Sequence, residues 1–267
     1  MKKMTILIAC DTFAPDRNGT ATFSKNLAIT LQKRGYEVHV IAPATSKLYG
    51  TFRERHDGQA VTCDDFAQAI ADANPGTALA RHLPQFKRWY SQAGTPRLEA
   101  RGLYNAAERS YTLSLSQTCP ATPGQSHKDP FVIPVTLGLL SRSGQALPLQ
   151  LAGSDASALQ QTLVLTDSVA HFTFVNLDSE PVPSLLRGFS APVVLDDGLS
   201  ADELMCLLAH DSDAFNRWEA GQRLMLQSAL QALESEADLA TVQALSPALI
   251  EALRQVLRHP ELDAAFK

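Results

Sequence analysis

The chain has 267 residues, 45% hydrophobic and 19% charged, which is globular composition with room for two or more modest domains. Its net charge is −5 and its pI about 5.8, with no cluster or stripe of Lys and Arg, which argues against nucleic acid as a partner. The apolar runs are far too short to span a bilayer. The opening MKKMTILIAC imitates a signal peptide only as far as Asp11 and has no small-residue cleavage site, so it reads as the first strand of a cytoplasmic protein.

Residues 4–42 read as β-α-β. Thr5 to Cys10 is a short apolar strand, and the polar turn DTFAPDRNGT follows it. Phe23, Leu27 and Leu31, with Ala28 beside them, mark one face of a helix. Lys33 and Arg34 before Gly35 make a good helix stop, and Val38 to Ala42 is a second strand ended by Pro43. A unit this short implies a parallel pair with a right-handed crossover.

Residues 62–94 are helical by pattern. Thr62 and Asp65 form a capping box, after which Phe66, Ala69 and Ile70 are expected to face inward. A second helix should carry Leu83, Phe86, Trp89 and Tyr90, closed by Gly94 and Pro96. Core packing is the expected role of Trp89, Tyr90 and Trp218.

From residue 97 to 196 the period changes to two. Tyr111, Leu113 and Leu115 alternate with Thr112, Ser114 and Ser116; Phe172 and Phe174 alternate with His171 and Thr173. Roughly seven short strands over about 100 residues suit an immunoglobulin-like sandwich. Asp196 and Asp197 before Gly198 read as a turn.

Residues 200–266 are helical again. Ser200 and Glu203 form another capping box ahead of Leu204, Leu207 and Leu208. Trp218, Met225 and Ala229 are expected to continue the apolar face, and Ser246-Pro247 starts a third helix with Leu249, Leu253 and Leu257 on one side. Such helices read as the start of a helical array that is cut short. The last of them should fray, and the exposed face of residues 200–266 is a candidate for self-association or partner recruitment. The expected fold is thus mixed and multi-domain: a βαβ unit over 1–54, helices over 55–96, an all-β sandwich over 97–198 and helices over 199–267.

Chemistry is sparse. No G-x-S-x-G occurs, and none of the seven histidines is followed by Glu, so H-E-x-x-H is absent. The four cysteines, Cys10, Cys63, Cys119 and Cys206, show no metal or redox spacing and read as reduced thiols. His56-Asp57 reads as a turn, His82 and His210 as helix residues that pack or face solvent, and Glu234, Glu236 and Asp238 as a solvated stretch. One candidate site stands on physics alone. Asn18-Gly19-Thr20 opens the first helix, where free N–H groups and the positive helix end can take an anionic group; a plain helix N-terminus fits as well. No catalytic residue and no metal ligand is assigned.

Two resemblances follow from quoted stretches. ILIACDTFAPDRNGTATFSKNLAITLQKRGYEVHVIAPA, running on to about YGTFRE, resembles the N-terminal domain of GT-B glycosyltransferases of family 4. That resemblance implies that Asn18, Gly19 and Thr20 line a cleft for acceptor and nucleotide-sugar phosphates. ERHDGQAVTCDDF, FKRWYSQAGTP, SLSQTCPATPGQ, EPVPSLLRGFSAPVVL and FNRWEAGQ resemble bacterial aminopeptidase N, a zinc metallopeptidase that acts on peptides. In that family the order is the end of a catalytic domain, a β-sandwich and a long helical domain. Its zinc ligands, catalytic glutamate, transition-state tyrosine and G-A-M-E-N loop lie upstream of RHDGQ and have no counterpart here. The expectation is therefore a chimera with its seam in TFRERHDGQ. Its aminopeptidase part is expected to have no zinc and no activity of its own, and its first fifty residues to dock poorly or stay mobile.

Overall fold

The computed structural model describes residues 5–9, 27, 29–31, 33–34, 37–41, 62–234 and 247–259. Two compact units divide the chain at residues 83 and 84. In the first, β1 (Thr5–Ala9) and β2 (Glu37–Ile41) pair in parallel, with Thr5 opposite Glu37 and Ala9 opposite Ile41. Leu27 and residues 29–31 are helical. Asn18, Gly19, Thr20, Phe23, His56, Asp57, Glu236 and Asp238 lie outside the described residues, as does the stretch holding the supposed seam.

Helix α1 (Cys63–Ala73) opens on the expected capping box: the Asp65 N–H donates to Thr62 Oγ1, and the Thr62 N–H donates to Asp65 Oδ2 at 2.9 Å. Its buried residues are Ala67, Ala69 and Ala71, while Phe66 is 37% exposed. The inward role expected of Phe66 therefore falls to small side chains, over which elements can pack closely. The single second helix is also corrected. The chain makes three one-turn pieces, α2 (Ala78–Arg81), α3 (Leu83–Phe86) and α4 (Arg88–Ser91). Pro84 has no N–H to continue a ladder across α2 and α3, and Tyr90 is exposed rather than packed in a core.

The sandwich consists of two sheets. In one, β10 (Val169–Phe174), β4 (Ser110–Thr118), β3 (Arg97–Asn105) and β12 (Val194–Asp196) lie in that order, antiparallel except for the parallel β12–β3 pair. In the other, β5 (Ile133–Leu140) pairs with β11 (Val182–Leu185), with β6 (Ala146–Leu147) and with β9 (Gln161–Leu165). Two-residue strands β7 (Leu149–Gln150) and β8 (Ser157–Ala158) form a small ladder. These short pieces raise the strand count above the seven expected.

Period two holds where it was read. Tyr111, Leu113 and Leu115 are buried in the core, together with Ile133, Val135, Leu137, Leu139 and Phe174. The alternate residues face outward and bond across the strands: Thr112 to Thr173 at 3.0 Å and Ser114 to His171 at 2.8 Å. Gly102 is required in β3, because a Cβ there would sit 1.9 Å from the Tyr111 hydroxyl.

Helices α5 (Ala201–His210), α6 (Ala214–Glu234) and α7 (Pro247–Arg258) follow. The Ser200–Glu203 capping box is present. Leu204, Leu207 and Leu208 pack with Ala220, Leu224, Leu249, Ala252 and Val256, and the same cluster takes in Leu140 and Val182 from the sandwich. Sandwich and helices thus share apolar packing. The apolar face of α6 is not the expected one: Ala220 and Leu224 are buried, whereas Trp218 is 51% and Met225 38% exposed. Arg217 and Asn216 take the buried positions at its start because they serve a polar network. On α7, Leu249 is buried but Leu257 is exposed, and Val256 lies inside instead.

Candidate functional site

The sandwich is bound at both ends by built polar junctions. The first ties α3, α4 and the stretch after them to the loops before β5. Reciprocal pairs set its geometry, since a glutamine amide offers a donor and an acceptor side by side. Gln92 Nε2 donates to the Asp129 carbonyl at 3.0 Å, and the Asp129 N–H donates back to Gln92 Oε1 at 2.8 Å. Gln117 does the same with Phe131, at 2.9 and 2.8 Å. Gln125 receives the Ala93 N–H at 2.8 Å and donates to the Ser91 carbonyl at 2.8 Å. Lys128 Nζ donates to the Ala93 carbonyl, Thr122 Oγ1 and Gln125 Oε1. The Trp89 ring meets that of Phe131 at 4.6 Å, tilted by 45°, while its Nε1–H donates to the Val132 carbonyl at 2.9 Å. The core role expected of Trp89 is met, but half-buried and at the edge of the sandwich core.

The second junction joins β11, the turn after it and the start of α6. Asp211, fully buried between α5 and α6, is its centre. One carboxylate oxygen receives Arg187 Nη2 at 2.7 Å and the Asp213 N–H at 2.9 Å; the other receives the Ser184 hydroxyl at 2.6 Å. Asn216 Nδ2 donates to Ser184 Oγ at 2.9 Å and to the Leu185 carbonyl at 2.8 Å. Arg217 donates to the Asp211 carbonyl, and burial lowers its pKa from the ordinary arginine value. Gly138 makes room for the Arg187 guanidinium: a Cβ there would sit 2.6 Å from Nη1. The turn that delivers Arg187 is unusual, with Leu186, Gly188 and Phe189 all at positive φ. Alongside, Asp197 forms a two-pronged pair with Arg223, both bonds 2.7 Å. The Asp196-Asp197 turn is therefore corrected: Asp196 ends β12 and pairs with Arg101 at 3.1 Å, and Asp197 clamps α6. The bond from Arg101 holds the Asp196 carboxyl below its ordinary pKa.

This chemistry is structural. Ser184 donates its only proton to Asp211 and is fully buried, and among the described residues no histidine bonds to it. Ser114 and His171 form a cross-strand pair on the outer sheet face, and among the described residues no carboxylate orients the ring. His210 packs its ring against Gly144, where a Cβ would meet it at 2.1 Å. A surface hollow of about 150 Å³ at the β3–β12 edge is lined by Arg97, Glu99 and Asp196 among others, a mixture of charge with no convergent donors. Cys63, Cys119 and Cys206 are free thiols; burial raises the pKa of Cys206. No described helix is long and apolar enough to cross a membrane.

Residues 94–198 match the family model described as "Domain of unknown function (DUF3458) Ig-like fold", and residues 201–267 match "Domain of unknown function (DUF3458_C) ARM repeats". Aminopeptidase N of Escherichia coli (strain K12) is 42% identical over 172 residues, 64% of this chain and 19% of that protein. This part of the chain corresponds to the C-terminal part of the aminopeptidase N family. Aminopeptidase N of Haemophilus influenzae is 36% identical over 208 residues, 78% of this chain and 23% of that protein. The crystal structure of Legionella pneumophila aminopeptidase A in complex with aspartic acid superposes with a TM-score of 0.62 at 26% identity, covering 81% of this chain and 22% of that one. The chain thus spans about a fifth of the length of these aminopeptidase N relatives. The aminopeptidase N resemblance implies zinc, but the residues do not fit it: among those described, no three His, Cys, Asp or Glu side chains converge on a metal position.

Proposed function

We propose that this chain is a non-catalytic part of an aminopeptidase N-type protein, in which the sandwich is held as one body with the short helices of residues 84–91 and with the helices after residue 200. The observation that carries this reading is the pair of junctions. The first is made largely of side chains that bond backbone and the second of a buried side-chain network around Asp211, and neither leaves a nucleophile, a general base or an open metal position among the described residues. Removal of N-terminal residues from peptides then belongs to residues outside this chain, since no H-E-x-x-H occurs in it. The purified chain, incubated with zinc and dialysed, should retain no stoichiometric metal and release no product from an alanyl amide. One zinc per chain together with turnover abolished by chelation would contradict the proposal.

A second reading concerns residues 1–54, as a glycosyltransferase-type unit binding a nucleotide sugar or its acceptor at Asn18, Gly19 and Thr20. It is favoured by the parallel β1–β2 pair, the arrangement that a βαβ unit of that kind requires. Calorimetric titration with UDP-glucose tests it: saturable heat lost in Gly19→Trp supports it, and no heat removes it.

A further inference from the structure

Among the described residues, no carboxylate bonds the Lys128 ammonium. Its N–H groups go instead to three neutral oxygens: the Ala93 carbonyl at 2.8 Å, Thr122 Oγ1 at 2.7 Å, and Gln125 Oε1. An ammonium has three donors, so the set is complete. The neighbouring Asp129 turns its carboxylate to Arg88 at 3.7 Å and to His127 at 3.5 Å. Lys128 is half-buried, and its charge is held by dipoles without a counter-charge.

The three oxygens are placed by bonds that do not involve Lys128. Thr122 and Gln125 flank a Pro123-Gly124 turn and exchange backbone bonds of 2.8 and 3.0 Å across it. Gly124 stands at φ +78°, the positive φ that the residue after proline needs in a type II turn. The Gln125 amide is fixed at both ends, receiving the Ala93 N–H on Oε1 and donating from Nε2 to the Ser91 carbonyl. Gly94, at φ +97°, seats the Ala93 peptide against the same turn: a Cβ there would lie 3.4 Å from Thr122 Cγ2 and 3.3 Å from Cys119 Sγ.

We propose that the Ala93 carbonyl, Thr122 Oγ1 and Gln125 Oε1 form a monovalent-cation site, which Lys128 fills with a tethered ion. Neutral oxygens converging on one point replace the water shell of a monovalent cation, as rings of backbone carbonyls do in ion filters. The carboxylates that a divalent hard cation draws to itself are absent from the three. A free ion of ammonium size therefore enters when the tether is cut, with water in place of the stem. The site closes the loop of residues 119–129 onto the segment after α4. The tether makes that closure independent of the salt around the protein.

The test is hydrogen exchange of the whole chain, read by mass spectrometry on peptides covering residues 91–96 and 119–129 at constant pH and ionic strength. In tetramethylammonium chloride, Lys128→Ala should exchange at least about tenfold faster than the parent, the worth of one hydrogen bond to a charged group. In ammonium chloride at about 0.3 M, enough to fill a site of millimolar affinity, it should recover most of that protection. Lys128→Met, whose stem blocks the ion's path without supplying a charge, should stay fast in both salts. Exchange in Lys128→Ala that equals the parent's, or that is the same in the two salts, overturns the proposal. So does full protection in Lys128→Met, because packing of the stem would then hold the loop. If Lys128→Ala does not fold, the parent decides. Its Lys128 should be acetylated by an N-hydroxysuccinimide ester at least about tenfold more slowly than the exposed Lys33, and equal rates overturn the proposal.

Discussion

Asp211→Ala is expected to lower the stability of the sandwich–helix unit by about 3–5 kcal/mol, the range for breaking a buried ion pair by removing one partner. The reason is what remains. Arg187 and Asp211 are 8% and 0% exposed, and Arg187 Nε already has no bonding partner. Without the carboxylate the guanidinium stays buried with only the neutral oxygens of Ser212 and Gln160 to bond. The Ser184 hydroxyl and the Asp213 N–H lose their acceptor as well. Urea unfolding followed by circular dichroism should show the midpoint falling sharply. An Asp202→Ala control, exposed on α5, should stay within about 0.5 kcal/mol of the parent. An Asp211→Ala loss no greater than that control's would mean that the network does not hold the domains.

Gly138→Ala should cost about 2–4 kcal/mol by a different route. The added methyl would lie 2.6 Å from Arg187 Nη1 and 3.1 Å from its Cζ. An arginine tip on a surface would simply swing away. This one is fixed by Asp211, Ser212 and Gln160, so displacing it strands Asp211 instead. Because both substitutions break the same pair, their effects should not add. The double variant is expected to cost less than the sum of the singles, by on the order of 0.5–3 kcal/mol. Strict additivity in a double-mutant cycle would show that Gly138 acts through something other than Arg187.

Much of the architecture was legible because it rests on local rules. Both capping boxes, Thr62 with Asp65 and Ser200 with Glu203, lie three residues apart, and each closes as read. The alternation of Tyr111, Leu113 and Leu115 follows from the strand period and needs no tertiary information. Helix facing was harder. On α6 a stripe through Trp218 and Met225 and one through Ala220 and Leu224 both satisfy helical spacing, and hydrophobicity favours the wrong one. The inner stripe is chosen by small residues that let α5 approach and by Asn216 and Arg217, which look like surface residues until Asp211 is placed beside them. The junctions were least legible. Gln92 and Gln125 stand 33 residues apart, and Arg187 reaches Asp211 from another domain, so no pattern in one segment announces either. The available signals were the glycine within the run FVIPVTLGLL and the glutamines beside SQAGTP and PATPGQ. Asn18, Gly19 and Thr20 lie outside the described residues, and their role rests on the sequence alone.

Limited subtilisin digestion of the whole chain, with the limit fragments weighed intact, tests the connector account most directly. If the first junction holds the short helices on the sandwich and the second holds the sandwich to α5 and α6, the resistant product contains residues 84–230 in one piece. The link at 197–200 should survive at least as long as any loop within the sandwich. Early cleavage in that link, releasing a sandwich fragment free of α5 and α6, would contradict the account.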